Sequence, residues 1–466
     1  MQFDSYIYAL FLPLVFVLYW LLRNKLLWQN IFLLAASYVF YGWWDWRFLG
    51  LILITSCTTF LTGLVIKNDH SRRSKAWLVL NLIINLGILA TFKYCNFFKD
   101  SLADILKLFG ANPDWPTLNI VLPVGISFYT LQAISYSLDV YNGKTQPTRN
   151  VVAFFVYIAF FPQLVAGPIE RARNLLPQLL RKKTFDYYNA VIGMRQILWG
   201  LVKKLVIADN LAGYVDNLLY HPSVMSASSI VMASILFAFQ IYADFSGYSD
   251  IAIGSARLLN IRLLPNFNYP FFARDMKELW QRWHISLMSW LREYIYIPLG
   301  GSRRGKWRTG FNIMIVFAIS GLWHGADWTF VIWGTAGGAM VLPHVFLKRK
   351  NRTGHAQLSD IPKCLLTFVV FALIFLSLRS PNIAHLQECL NTLVHGNYLC
   401  VPMGLTAVLY YILPLVVVEW LGRKQEFPLM TLKMPTLARW AIYWALLFII
   451  AFYGAKADIQ YIYFQF

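Results

Sequence analysis

Ile319-Ser-Gly-Leu-Trp-His-Gly-Ala-Asp-Trp-Thr-Phe-Val-Ile-Trp-Gly334 decides how the rest of the chain is read. Two apolar helical runs, about 311–322 and 328–347, meet in it. Between them stands one imidazole, His324, with Gly325 beside it and Trp323, Trp328 and Trp333 close by. An ionisable side chain inside lipid is expensive, and one that is kept marks a functional site. The plainer alternative is a buried His satisfied by a backbone carbonyl.

Composition places that stretch in a membrane. The chain has 466 residues, of which 58% are hydrophobic, 17% aromatic and 14% charged, whereas a soluble domain carries roughly 25% charged residues. Apolar runs recur from end to end, at about 5–22, 26–44, 47–66, 77–98, 118–141, 228–243, 311–322, 328–347, 362–378, 402–421 and 437–455. The expected fold is an all-α polytopic membrane protein. Its organisation reads as N-terminal spans (1–117), a central core (118–350) and C-terminal spans with an aromatic tail (351–466).

The formal net charge of +19 sits in short loops between apolar runs. Arg23 and Lys25, Arg72 to Lys75, Lys144 and Arg149, Arg303 to Arg308, Lys348 to Lys350, and Arg423 with Lys424 all fall on one side under a single assignment. That is the positive-inside pattern, and it argues against nucleic acid as the partner of the charge. It puts both termini outside, together with segment 99–117, which suits an interfacial helix, and the 380–401 loop. Cys389 and Cys400 share that loop, and whether they pair is left open. The first run has no basic leader or small-residue cleavage site before it, so it reads as a retained span. Leu122-Pro-Val-Gly125 should bend the 118–141 run near its start. From 151 to 310 the runs shorten and are broken by Pro, Gly and charges, which is tolerated at depth only around protein or a wet cavity.

A neutral imidazole can take the proton of a hydroxyl as that hydroxyl attacks an acyl carbon. His324 is the first candidate for this, with Gly325 leaving room for substrate and Trp323, Trp328 and Trp333 available to line a tunnel. His284 is the second. A helix over 272–292 would place it on one face with Leu287, Leu291 and Tyr294. Asp244 and Asp250, at the end of the 228–243 run, are two carboxylates that could suggest acid/base work but read rather as helix caps paired with Arg. Gly300-Gly-Ser-Arg-Arg-Gly-Lys306 mimics a phosphate loop, but Trp307 stands where Ser or Thr is required and no strand precedes it. Arg303, Arg304 and Lys306 can instead hold phosphates of a coenzyme, or simply set topology. No zinc motif or G-x-S-x-G is present. The tail Tyr461-Ile-Tyr-Phe-Gln-Phe466 reads either as an interfacial anchor or as a carrier of an acceptor hydroxyl on Tyr463.

Several segments together resemble the membrane-bound O-acyltransferase family, most of all its bacterial alginate O-acetyltransferase membrane-subunit group. They are Pro123-Val-Gly-Ile-Ser-Phe-Tyr129, Phe161–Pro168, Tyr242–Gly254, Asn266–Pro270, Trp280–Gly301 and Trp323–Gly334. The resemblance implies about nine to eleven transmembrane helices, with re-entrant and amphipathic helices, around a central funnel. It implies that His324 holds the catalytic position and His284 the second polar one. Tyr461-x-Tyr463-x-x-Phe466 is similar to an aromatic acyl-relay motif of D-alanylation systems. The expected activity is acetyl transfer from cytosolic acetyl-coenzyme A, with no permanently bound cofactor or metal. The acetyl group would go to an exported, alginate-like polysaccharide with the help of a periplasmic or extracellular acetyltransferase partner. The expected location is the bacterial cytoplasmic membrane. D-alanine as the acyl group, peptidoglycan or cellulose as acceptor, an acyl or polysaccharide transporter, and a non-catalytic scaffold of an export complex remain as rival readings.

Overall fold

A backbone in hydrocarbon must satisfy its own polar groups, and this chain does so with helices. The computed structural model describes residues 1–466 apart from 68–69, 112, 114, 117, 119, 222–223, 348–353, 456–459 and 463–466. Among the described residues there is no strand. Among the described residues, seven helices are long and apolar enough to cross a membrane: Trp46–Val65, Arg72–Leu108, Ala227–Leu258, Trp328–Phe346, Leu358–Arg379, Leu405–Gly422 and Thr436–Tyr453. Shorter apolar helices cover Tyr6–Leu21, Leu26–Gly42 and Val151–Leu164. The protein is therefore an all-α, multi-pass membrane protein, as its hydropathy pattern indicates.

The helix starts follow local chemistry. Ser5, Ser71, Asn150, Asp275 and Asp327 each accept a backbone N–H of the first turn that follows them. At Leu122-Pro-Val-Gly125 the expected bend is instead a start, because the helix begins at Ile126 and Gly125 precedes it with φ 76°. A Cβ on Gly125 would lie 2.4 Å from the Leu164 carbonyl oxygen, so only glycine fits there.

Residues 1–190 with 256–264 form one compact unit, and 191–255 with 265–466 form another. These boundaries differ from the sequence divisions at 117 and 350. The first unit is tied internally by polar side chains between apolar helices. Asn81 donates to Thr59 Oγ1 at 3.2 Å and accepts from Ser137 Oγ at 3.0 Å. Such bonds hold helices together where lipid offers no hydrophobic drive.

The second unit contains two departures from the sequence reading. The 228–243 run does not stop at Asp244, because its helix continues to Leu258 over 32 residues, about 48 Å at ~1.5 Å per residue. Asp244 and Asp250 therefore lie within a helix and cap nothing. Lysines pair with them: Lys204 reaches Asp244 at 3.0 Å and Asp209 at 2.7 Å, and Lys203 reaches Asp250 at 2.5 Å. Segment 380–401 holds a helix, Ile383–His395, and both Cys389 and Cys400 are free thiols.

The pair of helices around His324 packs unusually closely. A Cβ on Gly321 would lie 2.2 Å from the Phe330 carbonyl oxygen, and one on Gly334 would lie 2.2 Å from that of Phe317. Backbone meets backbone, so neither neighbour can yield cheaply. Gly321→Ala is expected to cost about 1–3 kcal/mol through overpacking and to lower the thermal midpoint in detergent. Gly50→Ala, where an added methyl meets nothing within 4 Å, serves as the control and should leave the midpoint unchanged or raise it. Equal midpoints for the two variants would refute the close crossing.

Candidate active site

His324 is the last residue of the helix Gly305–His324. The chain turns in three residues, and Asp327 starts the next helix by accepting from Thr329 N–H at 2.8 Å and Thr329 Oγ1 at 2.9 Å. The sequence places His324 correctly between two runs, but the space beside it is used differently. The Phe330 ring fills the side of Gly325, 2.5 Å from where a Cβ would stand. Gly321 admits the neighbouring helix and not a substrate. Trp323 and Trp333 pack on the His324 ring, with centroids at 4.9 Å and 5.0 Å. Trp328 is 49% exposed, at the first position of its helix.

His284 does not ride on a continuous helix. Met276–Arg282 ends before it and Ile285–Leu291 begins after it. His284 itself is left-handed, with φ 44° and ψ 51°, a conformation that costs a non-glycine residue about 1–3 kcal/mol. The segment 266–268 holds the break in place. Ile285 N–H donates to the Asn266 carbonyl at 2.8 Å, and Asn268 N–H donates to the Arg282 carbonyl at 3.0 Å. The Asn266 side chain completes the brace: Ser286 Oγ donates to its Oδ1 at 2.6 Å, and its Nδ2 donates to Ser249 Oγ at 2.9 Å. Asn266 is the residue that the site reading missed. Its signal is a short polar side chain inside Leu-Pro-Asn-Phe, a stretch otherwise apolar.

The break turns His284 toward His324. Their ring centroids are 5.8 Å apart, and exposure falls to 1% at His284 and 6% at His324. Aromatic rings close the surroundings. Phe245 meets the His284 ring edge-on at 4.7 Å, and Trp323 stands 5.8 Å from it. Trp280 packs on Trp333 at 5.8 Å. Arg282, two residues before His284, is engaged by Glu278 at 2.7 Å.

Among the described residues no cluster of three or more His, Cys, Asp or Glu side chains is placed to hold a metal. The pair of imidazoles is suited to moving a proton and to donating a hydrogen bond to a developing oxyanion. Arg303, Arg304 and Lys306 lie at the opposite end of the His324 helix, exposed, with Lys306 Nζ donating to the Phe346 carbonyl at 3.0 Å. From Lys306 to His324 is about 27 Å along the axis. Tyr463 lies outside the described residues. Tyr461 and Ile462 are described and are buried, so the tail at those positions is neither exposed nor an interfacial anchor.

Residues 147–380 match the membrane-bound O-acyltransferase family. The chain is 42% identical over 342 residues to a probable alginate O-acetylase of Azotobacter vinelandii, covering 72% of this chain and 67% of that protein. It is 35% identical over 422 residues to the peptidoglycan O-acetyltransferase of Helicobacter pylori, covering 84% and 79%. It is 25% identical over 257 residues to the teichoic acid D-alanyltransferase of Bacillus subtilis, covering 52% and 63%. The chain spans about two thirds of the length of the alginate relatives.

Two outcomes follow for the site. Asn266→Ala leaves the buried Ser286 and Ser249 hydroxyls without this partner, a cost of about 1–3 kcal/mol. Adding Ser286→Ala to Asn266→Ala should then cost less than Ser286→Ala does alone, read as thermal midpoints in a double-mutant cycle; strict additivity would contradict the brace. Burial lowers the pKa of His284, which lies outside the seven spanning helices, to about 3, whereas an unfolded His titrates near 6.5. Its contribution to stability is thus complete above about pH 6.5 and declines as the pH falls toward 3, because the unfolded chain takes the proton. Between pH 6.5 and 4 the wild type should lose stability more steeply than His284→Asn, by up to about 1.4 kcal/mol per pH unit. Parallel curves would show that His284 is not held neutral.

Proposed function

The chain belongs to the membrane-bound O-acyltransferase family and is an O-acyltransferase, and from that premise we propose that it carries acetyl from cytosolic acetyl-coenzyme A across the membrane for O-acetylation of an exported, alginate-like polysaccharide. The observation that carries the reading is the buried pair of imidazoles, 5.8 Å apart within aromatic walls. His324 acts as general base. Its neutral ring nitrogen takes the proton of an acceptor hydroxyl while the hydroxyl oxygen attacks the thioester carbonyl. His284 donates a hydrogen bond to the oxyanion as it forms. The carbon–sulfur bond then breaks, and the departing thiolate takes the proton back from His324 and leaves as the free thiol. The new bond is an ester on the acceptor oxygen.

The acceptor in this scheme is Tyr463 or a serine of a periplasmic or extracellular acetyltransferase partner, which completes transfer to the sugar. The basic loop Arg303–Lys306 faces the cytosol and meets the coenzyme phosphates. The protein sits in a bacterial cytoplasmic membrane with both termini outside. Peptidoglycan is the second acceptor class, supported by the identity to the Helicobacter pylori protein over 84% of this chain. D-alanine in place of acetyl is supported more weakly, by 25% identity over 52% of it.

General base catalysis contributes roughly 10²–10⁴-fold. His324→Ala, purified and folded, should therefore transfer label from radioactive acetyl-coenzyme A at least about 100-fold more slowly than wild type. Wild-type transfer by this variant would remove His324 from the mechanism. Substrate movement without label transfer in His324→Gln would make the protein a transporter.

A further inference from the structure

Lys204 is fully buried in the second unit, between Asp209 and Asp244. It sits in a π-helical segment, Val202–Ala208, an irregularity often found at functional sites. A buried ion pair is a poor source of stability, because desolvation offsets most of the Coulomb attraction. Its presence here coincides with another contact. Asp244 Oδ2 accepts from Ile462 N–H at 2.8 Å, across 218 residues of sequence.

Three further contacts bring the same end of the chain to the same place. The Tyr461 ring stacks on Tyr248, one helical turn after Asp244, with centroids 4.2 Å apart and planes 19° from parallel. Ala455 N–H donates to the Leu205 carbonyl, within the π-helical segment, at 2.9 Å. Asn210 Nδ2 donates to the Tyr453 carbonyl at 2.9 Å. Tyr461 is 0% exposed, in a chain segment that a sequence reading leaves outside. Phe245, the residue after Asp244, lies against both sides of the arrangement: its ring is 4.7 Å from His284 and 6.3 Å from Tyr461.

We propose that Lys204, Asp244 and Tyr248 form a dock for the C-terminal segment, which positions the chain end, and with it Tyr463, for the His284–His324 pair. The ion pair fixes Asp244, so that one oxygen faces Lys204 and the other the Ile462 amide. Tyr248 supplies the flat surface that sets the register of Tyr461. Lys204, Asp244, Tyr248 and Tyr461 are positioning residues in this scheme and take no part in the chemistry. The proposal rests on the reading of Tyr463 as acceptor for its purpose, but the seating of the segment can be measured apart from that.

The test uses the full chain purified in detergent, digested with carboxypeptidase Y and followed by intact mass. In wild type, trimming should stop before Ile462 is removed. Tyr461→Ala, with unchanged elution and melting, should be trimmed past residue 460 at least ten times faster. Tyr461→Phe keeps the ring and should behave as wild type. Asp244→Asn keeps the shape but removes the charge, and should speed trimming even if Tyr461→Ala fails to fold. Trimming of Tyr461→Ala, or of Asp244→Asn where the former does not fold, at the wild-type rate overturns the dock. In parallel, label from acetyl-coenzyme A is mapped on the undigested chain. Loss of Tyr463 label by at least tenfold in Tyr461→Ala, restored in Tyr461→Phe, supports positioning, and full label in a freed tail overturns it. Should wild type carry no label on Tyr463, the acceptor reading fails and the trimming result alone decides the dock.

Discussion

The site depends on one side chain, Asn266, and on the brace it makes. A helix that breaks inside a buried region exposes backbone donors and acceptors, and each left unpaired is costly. The break at His284 also forces a left-handed residue. Asn266 offsets both costs together. Its carbonyl takes the Ile285 amide, and its side chain ties Ser286 on one side to Ser249 of the long helix on the other. The brace thus satisfies the backbone at the break that leaves Trp283 and His284 outside both short helices, with the two imidazole centroids 5.8 Å apart.

Hydropathy made the spans legible because lipid enforces one rule on every residue of a span. The His324 turn was legible for a related reason, since an imidazole between two apolar runs has few explanations. What escaped sequence reading was whatever depends on partners far along the chain. Periodicity over 272–292 is helical, and nothing local shows that Asn266 will interrupt it. Asp244 and Asp250 look like the end of a span because charges usually are, yet Lys203 and Lys204, some forty residues earlier, make them affordable in its interior. The aromatic tail reads as exposed or interfacial because aromatic residues are typical of interfaces, whereas Tyr461 is buried against a flat partner, Tyr248. The space attributed to Gly325 is filled by the Phe330 ring. A sequence shows that a glycine permits close approach and not what approaches.

The surroundings of the two imidazoles suit the proposed transfer for a reason of charge. Aromatic walls and near-complete burial disfavour any lasting ion. Acyl transfer from a thioester to a hydroxyl creates charge only in passing: an imidazolium and an oxyanion appear together, close to one another, and disappear together when the thiol leaves. A dry site strengthens the attraction between such a transient pair while it penalises a separated one. His284, held neutral by burial, keeps an N–H for the oxyanion without adding a second positive charge. The same argument gives the buried lysines their place. Lys203 and Lys204 are matched by carboxylates within 3.0 Å, so the second unit keeps these buried cations paired with opposite charge.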